Sequence, residues 1–289
     1  MSNRAICITC GEQSENHVGM FKYGSGLAEN GYSIDKLREV RGIFDSMGCA
    51  TELIDLRETA LVGDELIDVE EAAVLVLRNC ASLLLNDTYD ADDILTNLMK
   101  ELTSFEWDKT YWDTRRQKWL NKRARYNVCF GNTAHELDTV KKSGTVIAYH
   151  SVPMLHLWKT KMQELLNDTT QEWECEGNFY YDAKKTGIGF HGDGERRKVI
   201  ALNVCDEDAA REINWQWFKN SKPFGKRIRV FLRSGDCYIM SEKATGTDWK
   251  KRVKVISKND ELVKIQLATL RHAAAVSGSK YLKIKGQIL

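Results

Sequence analysis

The stretch with the greatest chemical potential runs Asn178-Phe-Tyr-Tyr-Asp-Ala-Lys-Lys-Thr-Gly-Ile-Gly-Phe-His191-Gly-Asp193. Side chains two apart on an extended strand face the same way. His191 and Asp193 therefore present an imidazole and a carboxylate side by side. Non-haem Fe(II) is held by two histidines and one carboxylate on a single face, which leaves the opposite positions open for cosubstrate and O₂. A His-x-Asp pair supplies two of those three ligands. Alone, the tripeptide is unspecific, because it arises by chance in many chains.

Its surroundings narrow the reading. Asn178 and Tyr180 form an Asn-x-Tyr strand, and Ile188, Gly189, His191 and Asp193 form an Ile-Gly-x-His-x-Asp strand after a loop. Leu232-Arg-Ser-Gly-Asp236 makes a Leu-x-x-Gly-Asp turn. Upstream lie an arginine-rich strand, Arg123-Ala-Arg-Tyr-Asn-Val-Cys-Phe-Gly131, and a Pro-x-Leu stretch in Ser151-Val-Pro153-Met-Leu. Over residues 120–275 this pattern resembles the AlkB family of iron- and 2-oxoglutarate-dependent oxygenases, which repair or modify nucleic-acid bases. The resemblance implies a double-stranded β-helix (jelly-roll) core, with Fe(II) on His191 and Asp193 and 2-oxoglutarate hydrogen-bonded by Asn178 and Tyr180. It also implies an arginine for the distal carboxylate, a charge-assisted and bidentate pairing. Arg271, closing the alternating run Val263–Leu270, is the match. The family's second arginine position falls here on Ser277.

The third metal ligand departs from the pattern. No histidine lies between His191 and His272, and the family's position for it falls on Trp249, beside Asp248. Four arrangements are open. Asp248 or Glu242 stands in for the histidine. Two protein ligands and water suffice. His272 swings in from another strand, although next to an inward Arg271 it is expected to point outward. Or the site takes no metal, Trp249 fills it, and the barrel only binds.

The elements that must position these residues read as follows. Ala5–Thr9 is a short strand. Ser33 caps a helix through Leu37, Val40, Ile43, Phe44 and Met47, which Gly48 closes. Thr51–Leu56 alternates as a strand. Helices are predicted over Leu66–Leu85 and Asp90–Leu102. From Trp173 onward the runs Phe179–Tyr181, Lys198–Val204, Ile213–Phe218, Arg227–Leu232, Cys237–Met240 and Val263–Leu270 are strands of a sandwich or barrel. The fold class is α+β, with a small α/β segment of unassigned role over 1–105 and a jelly-roll oxygenase core with flanking helices over 106–289.

Between them, residues 105–126 interleave aromatics with Arg115, Arg116, Arg123 and Arg125. Basic side chains neutralise phosphates and aromatics stack on bases, although a solvated amphipathic segment with its aromatics turned inward has the same composition. Net charge is +1, so no global field draws the chain to nucleic acid. With 43% hydrophobic residues it can bury a core, and no apolar run is long enough to span a bilayer. The first residues lack the apolar core of a secretory signal. The eight dispersed cysteines suit reduced thiols in a soluble intracellular protein, cytoplasmic or nuclear. Cys7 and Cys10 form a CxxC with no second pair to complete a zinc site. The expected function is oxidation of a nucleobase in DNA or RNA. The alternatives are an inactive module that binds nucleic acid or a protein partner, and the same oxygenase chemistry on a protein or small molecule.

Overall fold

The computed structural model describes residues 3–182, 185–206, 209–251, 253–258 and 261–276. Strand β1 (Ala5–Gly11) is buried along its whole length. A hairpin of β2 (Gln13–Glu15) and β3 (Lys22–Gly24) leads to helix α1 (Ile34–Ser46). Ser33 caps α1 by accepting the Lys36 amide at 3.1 Å, and Leu37, Val40 and Phe44 form its buried stripe. Then come β4 (Thr51–Asp55), a small hairpin of β5 (Leu61–Val62) and β6 (Glu65–Leu66), β7 (Ala73–Leu77), α2 (Cys80–Leu85) and α3 (Ile94–Leu102). The basic-aromatic segment folds as a hairpin of β8 (Thr110–Asp113) and β9 (Lys118–Asn121). It is followed by β10 (Tyr126–Gly131), β11 (Val146–Ala148) and α4 (Pro153–Leu165). The remaining strands are β12 (Glu174–Tyr180), β13 (Gly187–His191), β14 (Val199–Cys205), β15 (Arg211–Lys219), β16 (Lys222–Leu232) and β17 (Cys237–Met240). The short helix α5 (Glu242–Thr245), a hairpin of β18 (Val253–Lys258) and β19 (Glu261–Gln266), and β20 (Ala268–Val276) complete the described elements.

Two sheets dominate. The larger has the order β11-β10-β12-β1-β14-β17-β7-β4 and the smaller β13-β20-β15-β16. Their pairings are antiparallel except β10 with β11. One face of the large sheet packs on helices through Ile6, Leu75, Phe44, Leu98 and Trp158. Its other face meets the small sheet through Val74, Val199, Trp215, Trp217 and Met240. The molecule is thus a helix layer and two sheets, a mixed α/β architecture rich in strand.

Three differences from the sequence reading have physical causes. The helix expected over Leu66–Leu85 divides into β7 and α2, with Asn79 at φ 49° turning the chain between them. The run Ala73–Leu77 is buried throughout and paired on both sides, by β4 and β17. An unbroken apolar run carries no period, so its partners decide its conformation. The expected boundary near residue 105 does not divide the sheet, because β1 lies between β12 and β14 and β7 extends the sheet from β17. Finally, Cys10 and Cys175 face each other across β1 and β12 and are joined by a disulfide, which corrects the expectation that every thiol is reduced. The other six cysteines are free and buried. Cys7 and Cys10 point to opposite faces of β1, so their CxxC makes no shared metal site. No helix among the described residues is long and apolar enough to cross a membrane.

Candidate metal centre and its cavity

β13 ends at His191, and Asp193 follows two residues later. β20 runs antiparallel to β13 and places His272 opposite His191. Asp193 Oδ1 lies 3.5 Å from His191 Nε2 and 3.5 Å from His272 Nε2. The three ligand atoms fall within 4.8 Å of one another, close enough to bind one ion. His191 Nδ1 is 2.9 Å from the Gly189 carbonyl oxygen. Since a carbonyl only accepts, Nδ1 carries the proton and Nε2 keeps its lone pair for a metal.

Metal ligands must be deprotonated, and the surroundings of His191 and Asp193 favour this. Burial and the neighbouring His272 push His191 down to about 3. Burial by itself would raise Asp193, but His272, Arg196 and His191 outweigh it and hold the carboxyl below its usual range. The strand is anchored from behind, with the Asp193 amide donating to the Thr245 carbonyl at 3.1 Å. Gly192 permits this approach: a Cβ there would sit 2.0 Å from the Gly246 oxygen.

His191, Asp193 and His272 open onto a cavity of about 570 Å³ between the sheets. Its inner end holds Arg211, which leads an inward file through Ile213, Trp215 and Trp217, all buried. Arg211 Nε donates to Asn203 Oδ1 at 2.7 Å. Its guanidinium lies 5.8 Å from the Tyr238 ring centre and close to the Tyr238 hydroxyl, and Nη2 is buried with no partner in hydrogen-bond geometry among the described residues. A buried charge with an unused donor is costly, and this one faces an open cavity. Tyr180, Tyr238 and Cys7 line the same end, and burial pushes the Tyr180 phenol up to about 12.

Of the residues singled out by sequence, Asn178, Tyr180, Arg115 and Arg125 line the cavity with His191 and Asp193. Asn178 Oδ1 accepts from Asn127 Nδ2 at 2.9 Å and from Arg125 Nε. Arg271 does not line it. Neighbours on a strand point to opposite faces, so with His272 turned inward Arg271 lies on the other side of β20. There it stacks over Phe218 at 4.3 Å and Trp249 at 5.4 Å. Asp248 is 2.7 Å from Lys243 Nζ, and Glu242 accepts the Gly31 amide at 2.7 Å; both line a separate pocket. Neither belongs to the cluster that His272 completes. Trp249 lies along the cavity wall and leaves that cluster intact. Arg116 and Arg123 line a second, adjoining pocket with Arg125.

Sequence reasoning missed Arg211, although a charged residue at the head of the inward file Ile213-Trp215-Trp217 was a usable signal. It did not bring together His17, in its glycine-bearing loop, and Tyr111, in the basic-aromatic segment, which stack at the cavity mouth with centroids 3.8 Å apart. Nearby, the Glu15 carboxyl is raised by burial. Glu195 is raised by burial to about 7 and pairs with Arg196 at 3.1 Å.

No family model matches the sequence. An uncharacterized protein of Acanthamoeba polyphaga mimivirus is 36% identical over 268 residues, spanning 93% of this chain and 94% of the viral protein.

Proposed function

The chain belongs to the family of that mimivirus protein, and we propose that it is an AlkB-like oxygenase that uses Fe(II) and 2-oxoglutarate to hydroxylate or demethylate a nucleobase. One observation carries the reading: two histidines and one aspartate converge on a cavity whose far end holds a buried arginine with an unused donor. Each half fits the group it would receive. The donor set, two imidazoles and a carboxylate, is that of non-haem Fe(II) centres. The orphaned Nη2 of Arg211 suits a dicarboxylate that reaches inward from the metal. The topology supports the finer fold reading too. Consecutive strands from β12 to β15 alternate between the two sheets, as in a jelly roll, and β1 takes the place between β12 and β14.

Fe(II), once bound, supplies activation of O₂ coupled to decarboxylation of 2-oxoglutarate to succinate. The chain's own residues hold and orient. His191, Asp193 and His272 bind the ion, Arg211 takes the distal carboxylate, and Asn178 and Tyr180 border the cosubstrate. The His17–Tyr111 stack offers an aromatic wall to a base at the mouth. The alternative of a barrel that only binds drew its support from a missing second histidine. The position of His272 beside His191 supports the oxygenase reading over it. The test is succinate release from 2-oxoglutarate with Fe(II), comparing wild type with Asp193→Ala and His272→Ala. Turnover confined to the wild type is expected, and equal background in all three proteins would end the enzyme reading.

A further inference from the structure

Beside the metal cavity is a second pocket of about 520 Å³ that shares His17, Tyr111 and Arg125 with it. The walls of the two differ in charge. The metal cavity mixes signs, with Glu15, Asp113 and Glu195 set among its arginines. The second pocket is lined by Arg116, Lys122, Arg123 and Arg125 and by no carboxylate. Of the nearby acids, Asp108 and Glu176 act on Lys122, while the exposed arginines are little neutralised. Asp113 reaches Arg116 only at 3.7 Å, its Oδ1 accepting the Arg115 and Arg116 amides. Lys122 Nζ is spent on the Asn16 and Asn127 side-chain oxygens, at 2.6 and 3.0 Å, so the contacts fall to the arginines. Arg116 and Arg123 are exposed and able to reach a ligand. Three guanidinium groups held around one concavity repel each other, and an anion relieves that repulsion.

We propose that this pocket binds a phosphate group of the substrate, so that the reacting molecule is a nucleotide whose base enters the metal cavity past the His17–Tyr111 stack. The proposal deepens the oxygenase reading and rests on it for the identity of the base-bearing end. The shared wall supplies the path, because a phosphate against Arg116 and Arg123 and a base beside Tyr111 are joined across residues common to both pockets. Guanidinium groups match phosphate geometry by bidentate pairing. The phosphate belongs either to a free nucleotide or to a nucleic-acid strand.

Calorimetry on the full chain separates the outcomes. The probes are the four common nucleosides, their 5′-monophosphates, inorganic pyrophosphate, and single-stranded oligonucleotides of increasing length. Monophosphates are expected to bind about tenfold or more tightly than nucleosides, the factor that corresponds to one good charge-assisted pair. Pyrophosphate should compete with them. Arg116→Ala and Arg123→Ala should each remove most of the advantage, without unfolding a protein in which both side chains are exposed. A salt dependence that stays constant with oligonucleotide length assigns the site to one phosphate of a free nucleotide or strand end, and one that steepens with length assigns it to a strand. His272→Ala should lose metal yet keep phosphate binding, so failure of the oxygenase reading and failure of this pocket show separately. Equal affinity for nucleosides and monophosphates, or affinity indifferent to both arginine substitutions, overturns the proposal.

Discussion

The inner end of the metal cavity and the pocket beside its mouth both present arginines, but by opposite means. Arg211 is enclosed, fixed through Nε by Asn203, and left with one buried donor unused. Arg116 and Arg123 stand in solvent and share their pocket with further cations. Burial makes an electrostatic contact strong and insensitive to salt, at the cost of desolvating the charge. Exposure makes each contact weak and screened, and effective only in number. On the proposed reading, the inner end selects one anion in one orientation, and the outer pocket attracts anions and holds them loosely.

The largest effect should come from breaking the trio. His272→Ala should weaken Mn(II) binding by at least about a hundredfold, since loss of second-shell support alone costs a metal site tenfold to a hundredfold. Asp248→Ala should leave that affinity unchanged. Titration calorimetry with Mn(II) decides, and the reverse pattern would return the third-ligand role to Asp248. Next in size is Arg211→Ala. Loss of a charge-assisted hydrogen bond worth about 1.5–3 kcal/mol should weaken 2-oxoglutarate by roughly ten- to more than a hundredfold. The affinity of the wild type should change little with salt. A steep salt dependence would dissolve the contrast between the two ends.

These substitutions also mark how far the sequence could be read. His191 and Asp193 were legible because strand geometry relates them locally. His272 was not, because it reaches them through the register of β20 against β13, a pairing with no local signature. The same phase error linked two residues: an inward Arg271 required an outward His272, and the structure has the opposite alternation. Most strands after Trp173 were legible from their short apolar runs, but Val263–Leu270, read as one strand, crosses from the end of β19 into β20. The central place of β1 was not, since Ala5–Gly11 looks the same at the centre of an eight-stranded sheet as in a separate segment. Arg115, Arg116, Arg123 and Arg125 were legible as a basic group, but their division between two pockets depends on how the β8–β9 hairpin folds.

The outer region can be sharpened by pH. Burial, the dominant cause, lowers Lys122 from its ordinary value to about 7. Between about pH 7 and 10.5 the unfolded chain then binds more protons than the folded one, so stability rises with pH through that window. The benefit is complete above the unfolded pKa and is lost as pH falls towards 7. Urea unfolding at pH 7, 8 and 9 should show a gain on the order of 1 kcal/mol per pH unit. Lys122→Met should flatten that slope while lowering stability at every pH, because it strands the buried oxygens of Asn16 and Asn127. A slope unchanged in the variant would place the titrating group elsewhere.

The smallest expected effect belongs to Arg271, and it tests the inner end from the opposite face of β20. Its guanidinium stacks over Phe218 and Trp249, contacts worth about 0.5–2 kcal/mol depending on desolvation. Arg271→Ala should therefore cost stability of at least about that size. Because the side chain does not line the cavity, 2-oxoglutarate affinity should stay within about twofold, well below the tenfold that one kept or lost ion pair produces. Trp249 also lines the cavity wall, so loosening it should affect ligand affinity less than removing Arg211 does. Calorimetry of 2-oxoglutarate on Arg211→Ala and Arg271→Ala side by side gives the reading. If Arg271→Ala weakens the cosubstrate as much as Arg211→Ala does, the two faces of β20 are not separate environments, and the assignment of the inner anion site to Arg211 falls.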